Sequence, residues 1–130
     1  MRPDPAASPF ESVGGHDAMR AITDRFYDLM EQEPAYAELR AIHADDLTDM
    51  RAQLPLFLAG WAGGPRDWFE ANPGKCMMSA HGGIPITRDT AGQWVEAMTR
   101  AIADTQVKDR TVADAMAEVL GRMARGMARN

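Results

Sequence analysis

The 130-residue sequence holds one cysteine, Cys76. A single thiol closes no disulfide framework and builds no cysteine-rich zinc site. A reducing compartment is the expectation that follows. No apolar run approaches the roughly 20 residues that a membrane-spanning helix needs. The first residues carry Arg2, Asp4, Pro3, Pro5 and Pro9 with no apolar stretch, so neither a signal peptide nor a targeting helix is expected. These features together predict a cytoplasmic protein. An excess of positive charge is also missing. The formal net charge is −5, which argues against nucleic acid as the main partner. The three histidines, His16, His43 and His81, do not form a two-histidine metal motif on one helix. Gly14-Gly15 and Gly82-Gly83 are isolated pairs with no preceding strand, and no Ser-His-Asp pattern appears. Nucleotide and hydrolase readings therefore have no residues to rest on.

What remains is a composition suited to one compact domain. Apolar residues are 45% of the chain and charged residues 25%, which is not a disordered composition. Ten methionines are many for this length. Methionine fills irregular apolar space, which serves an adaptable core or a cavity for a flat ligand.

The apolar spacing is helical nearly throughout. Residues 1–9 read as a flexible leader because of their prolines, and 10–130 as a single domain. Phe10 to Val13 forms a short turn before Gly14-Gly15. Met19, Ile22, Phe26, Leu29 and Met30 then share one face of a first long helix. Pro34 ends or restarts it, and Ala35 to Ile42 reads as a short helix. Thr48 is the expected N-cap of the next helix, whose stripe is Met50, Leu54, Phe57, Leu58 and Trp61. Pro55 is expected to bend this helix or delay its start, and Gly63-Gly64-Pro65 to stop it. Residues 66–86 are mostly loop, with helical turns at Trp68 to Ala71 and around Ser79 to His81. Two long helices follow. Thr87 caps the first, with Trp94, Met98 and Ile102 on one face. Thr111 is expected to cap the second, whose stripe is Val112, Met116, Val119, Leu120, Met123 and Met127. No strand-type alternation of useful length appears, so the fold class is all-α.

His81 stands out chemically. It lies within Met77-Met78-Ser79-Ala80-His81-Gly82-Gly83-Ile84, an uncharged neighbourhood. A neutral imidazole in apolar surroundings suits a heme iron ligand, and it equally suits a half-buried loop histidine. Tyr27 and Trp94 read alone as core-edge aromatic residues. Together the three place a phenol, an indole N–H and an imidazole among long apolar helices.

The order of these residues resembles the truncated hemoglobins, specifically their second group, from about Phe10 to Met127. The stretches that carry the resemblance are Val13-Gly14-Gly15, Arg25-Phe26-Tyr27, Leu39-Arg40-Ala41-Ile42-His43 with Asp45-Asp46-Leu47, and Phe57-Leu58 through Gly63-Gly64-Pro65. His81, Pro85-Ile86 and Trp94 complete the series. The resemblance implies a two-on-two helical sandwich, with B and E helices packed over G and H helices, holding heme b. It implies His81 as the proximal iron ligand, and Tyr27 and Trp94 as distal hydrogen-bond donors. His43 falls at a position that varies between aromatic residues and histidine, and is a possible third donor. Met50 falls at a distal position that full-length globins fill with histidine, and Leu54 walls the distal side. Phe57, Met77, Met78, Ile84, Ile86 and Met98 are implied as heme contacts or adjacent core. The chain departs from the family where arginines usually precede the proximal histidine, since Cys76 to Ala80 carries no charge. Lys75 and Arg88 are the candidate substitutes for holding the propionates.

The function this implies is binding of dioxygen, nitric oxide or other diatomic gases. Several donors at one gas ligand suit slow release and redox chemistry, such as nitric oxide oxidation or peroxide activation with a reductase as partner. The alternatives are a non-enzymatic oxygen binder, transporter or sensor, and a cofactor-free helical interaction module.

Overall fold

The computed structural model describes residues 8–73 and 86–128, and among these every regular element is helical. Helix α1 spans Pro9–Val13 and α2 spans Gly15–Gln32. A 3-10 turn, Pro34–Tyr36, leads into α3, Ala37–Ala41. Helix α4 is Thr48–Trp61 and α5 is Asp67–Ala71. The two long C-terminal helices are α6, Arg88–Asp104, and α7, Arg110–Gly126. No described helix is long and apolar enough to cross a membrane.

Helices α2 and α4 pair as one layer, and α6 and α7 pair as the other, with α2 also packed on α6. This is the two-over-two sandwich expected from the residue order. The α2 stripe supplies its centre. Met19, Ile22, Phe26, Leu29 and Met30 are all buried, together with Leu58 from α4, Met98 and Ile102 from α6 and Leu120 from α7. Each such large side chain contributes roughly 1.5–3 kcal/mol by leaving water. Tyr36 is fully buried between the layers. Its hydroxyl donates to Glu96 Oε1 at 3.1 Å and accepts from Arg100 at 3.1 Å, so the 3-10 turn is tied to α6.

The helix ends differ from the sequence expectations in instructive ways. Pro9, assigned to the leader, opens α1 behind the N-cap Ser8, because proline's fixed φ and missing N–H suit a first helical turn. Gly14 and Gly15 take φ values of 124° and 72°, a region closed to most side chains, and there the chain turns from α1 into α2. Thr48 is the first residue of α4 rather than its cap. Asp46 serves that end, accepting from the Thr48 N–H at 2.9 Å and the Thr48 hydroxyl at 2.6 Å. Helix α4 runs through Pro55 instead of starting after it, with the proline ring buried. Thr87 caps α6 as its spacing predicts, in a reciprocal capping box with Thr90. Asp109, not Thr111, caps α7, accepting from the Val112 N–H at 3.1 Å. A carboxylate at this end also complements the helix dipole. Val119, placed in the α7 stripe, is 38% exposed, and Ala113 and Ala124 share the buried face instead. The step from Met116 to Leu120 keeps the face, whereas Val119 is rotated away from it.

Candidate functional site

The sandwich encloses a cavity of about 270 Å³ between its layers. The layer formed by α2 and α4 contributes Tyr27, Met50, Gln53, Leu54 and Phe57, and Ile42 and His43 close the corner before α4. From the opposite layer, α6 contributes Thr90, Ala91 and Trp94, and α7 contributes Leu120, Met123, Ala124 and Met127. Leu39 from α3, Trp68 from α5 and Ile86, just before α6, complete the described wall.

The aromatic side chains of this wall belong to two groups, completed by Phe26 and Phe69, which do not line the cavity. Trp94 meets Phe26 edge-on with centroids 5.5 Å apart, Phe26 meets Tyr27 at 5.0 Å, and Tyr27 meets His43 at 6.2 Å. Farther along α4, Phe57, Trp68 and Phe69 form a triangle with centroid spacings of 5.1–5.5 Å. All of these pairs except the tilted Phe57–Phe69 one are edge-to-face, an arrangement that holds rings in defined orientations. Phe26 thus braces both polar aromatic residues from the core side.

Tyr27 is 4% exposed. Burial pushes its phenol up to about 12, while the Arg51 guanidinium nearby pulls it back down. The hydroxyl is therefore protonated across the physiological range and is available as a donor. His43 is half-buried, and its Nδ1–H donates to the Leu39 carbonyl at 2.8 Å. The acceptor is a carbonyl, so the neutral ring carries its lone pair on Nε2.

Of the residues singled out in the sequence, Tyr27, His43, Met50, Leu54, Phe57, Ile86 and Trp94 converge on this one cavity. Met98 is fully buried in the core and does not line it. His81, Met77, Met78 and Ile84 lie outside the described residues, as do Lys75 and Cys76. His16 is exposed and packs edge-on to Phe10, away from the cavity. Reading the sequence missed Trp68, Thr90 and the α7 wall. Leu120, Met123 and Met127 were visible as a helical stripe, but a stripe that faces a cavity has the same spacing as one that faces core. The methionines serve both purposes. Met19, Met30, Met98 and Met116 are core, while Met50, Met123 and Met127 line the cavity.

These walls fit a flat apolar cofactor with a reactive centre. Aliphatic and aromatic surfaces bound the space, and a few polar groups enter it. Among the described residues no cluster of histidine, cysteine or acidic side chains is able to hold a metal ion alone.

Comparison with known proteins agrees with this geometry. The bacterial-like globin family profile matches residues 8–129. The chain is 27% identical over 95 residues to the group 2 truncated hemoglobin YjbI of Bacillus subtilis, covering 73% of this chain and 69% of that protein. Among solved structures, the group II 2-on-2 hemoglobin of Agrobacterium tumefaciens superposes with a TM-score of 0.90 at 27% identity, covering 98% of each chain. The group II truncated hemoglobin of Bacillus anthracis superposes at 0.85 with 27% identity, covering 98% of this chain and 95% of that one.

Proposed function

Because the chain belongs to the bacterial-like globin family, we propose that it holds heme b in the cavity between its layers and binds dioxygen and related diatomic gases there. Heme, when bound, supplies an iron that takes a gas molecule as ligand. The proposal assigns His81 as the protein ligand to that iron. Support comes from its uncharged sequence neighbourhood and from its place in the order of residues that resembles the truncated hemoglobins, whereas His16 is exposed and does not line the cavity.

The observation that carries the reading is the convergence of Tyr27 and Trp94 on one apolar cavity. A gas ligand that draws electron density becomes partly negative, and donors aimed at it in a dry space stabilise that charge strongly. Tyr27 brings a neutral phenol and Trp94 an indole N–H. His43 lines the same cavity with its Nδ1–H committed to the Leu39 carbonyl. Two donors on one ligand favour slow release, which suits redox chemistry such as nitric oxide oxidation more than storage. Any such turnover requires an external reductase. The formal net charge of −5 favours a small-molecule role over nucleic-acid binding.

Dioxygen release tests the assignment. Tyr27→Phe and Trp94→Phe each remove one donor and keep an aromatic body. A hydrogen bond to a partly charged ligand is worth roughly 1.5–3 kcal/mol, so each variant is expected to release dioxygen on the order of 10- to 150-fold faster. The double variant is expected to fall short of the product, because both donors share one ligand. Unchanged stopped-flow rates in both single variants would remove this distal network.

A further inference from the structure

Arg51 lies on α4 between Met50 and Leu54, both of which line the cavity, but is not itself part of the wall. Its side chain is about three-quarters buried, and its guanidinium is spread over one face of α2. Nη1 donates to Asp24 Oδ1 at 3.3 Å and to the Asp24 carbonyl at 3.3 Å. Nη2 donates to Asp28 Oδ1 at 2.9 Å and to Glu31 Oε1 at 3.1 Å. Residues 24, 28 and 31 follow the i, i+4, i+7 spacing of one helix face, so a single planar fork joins three carboxylates on two turns. The same guanidinium carbon stands 5.7 Å from the centre of the Tyr27 ring. That ring consequently has the cavity on one side and a fixed cation on another.

We propose that Arg51 is a positioning residue for the gas-binding site, locking α4 to α2 and holding the Tyr27 ring so that its phenol meets the bound gas. This rests on the reading of Tyr27 as a ligand donor given above. Arg51 touches neither gas nor cofactor in this account and acts only through Tyr27. Isolated exposed ion pairs contribute little, but a fork held by several carboxylates has its geometry set by all of them at once. Its loss frees both the interhelix spacing and the face of the ring.

The test uses the full, heme-loaded chain. Arg51→Met keeps the apolar stem and removes the fork. It is expected to release dioxygen about 3- to 10-fold faster, a fraction of the loss from deleting the phenol itself. In a Tyr27→Phe background the same change is expected to have no further effect. The carbon monoxide complex, labelled with ¹³C on its tyrosine rings, provides a second readout. The chain has two tyrosines, and Arg51→Met is expected to move the Tyr27 ring signals and leave those of Tyr36 in place. Arg25→Met breaks a comparable α2 ion pair, Arg25 with Asp104 at 2.9 Å, and is expected to leave release unchanged. Should Arg51→Met fail to fold, Asp28→Ala removes one arm of the clamp and is expected to act in the same direction with smaller size. Unchanged release in Arg51→Met, or an equal acceleration with and without the Tyr27 hydroxyl, would overturn the proposal. If Tyr27→Phe alone leaves release unaltered, the donor assignment fails instead, and the two failures are distinguishable.

Discussion

Replacing Tyr27 with phenylalanine removes one oxygen from a ring that is 4% exposed, and the consequence for folding depends on pH in a calculable way. Burial raises the folded-state phenol from 10.0 to about 12, against the smaller opposing pull of Arg51. The folded protein therefore keeps its proton where the unfolded chain loses it. Stability from this group is fully present below pH 10 and is lost as pH rises toward 12. The shift is about 2 units, and each unit corresponds to about 1.36 kcal/mol, so the total loss approaches roughly 3 kcal/mol. About half of it is expected by pH 11. Phenylalanine has no proton to lose. Denaturant unfolding of wild type and Tyr27→Phe across pH 8 to 12 is expected to give a stability difference within about 1 kcal/mol at pH 8, since Tyr27 lines a cavity and the substitution keeps its ring. Above pH 10 the wild type is expected to fall away faster. Taking the difference between the two proteins cancels the titration of Tyr36 and the basic residues. Parallel curves throughout that range would refute the claim that a buried, neutral phenol stands in this cavity.

Two further substitutions probe the walls. Met50 is half-buried on the cavity side of α4, and we propose that its flexible thioether narrows the approach to the site. Met50→Ala is expected to speed ligand association measured by flash photolysis, and equal rates would leave this gating role without support. Gly60 packs against Phe69, and an added Cβ would stand 2.7 Å from two ring carbons. Gly60→Ala gains about 1 kcal/mol of helix propensity but displaces a ring of the Phe57–Trp68–Phe69 triangle. Overpacking of this kind costs typically 1–3 kcal/mol, so a net loss of up to about 2 kcal/mol is expected in thermal or denaturant unfolding. A gain in stability would show that Phe69 moves freely.

Much of this molecule was legible in its sequence because its elements are long amphipathic helices. The α2 stripe from Met19 to Met30 reads directly as core, and the Thr87 cap follows from a hydroxyl placed just before a periodic run. The errors arose where two local solutions compete. Asp46 and Thr48 both offer an oxygen near the start of α4, as do Asp109 and Thr111 near α7, and only the backbone path decides which one accepts the bond. Of the site, the α2 and α4 side was legible only through the family resemblance, which singled out Tyr27, Met50 and Leu54 from stripes whose spacing alone reads as core. The α7 side was not, since Leu120, Met123 and Met127 have ordinary core spacing. Arg51 was hidden for another reason. Its partners lie 20 to 27 positions away, and charged residues on helices usually face solvent.

The central claim is that this chain holds a heme iron through His81 and presents it to diatomic gases. Absorption spectra of the heme-loaded protein test it most directly. Wild type, reduced in the absence of air, is expected to show a Soret band that shifts reversibly when carbon monoxide is added. His81→Ala is expected to lose the wild-type Soret and visible bands and to recover them when free imidazole is supplied. Wild-type bands in His81→Ala without imidazole, or a wild-type protein that forms no Soret-absorbing complex with heme, would contradict the account.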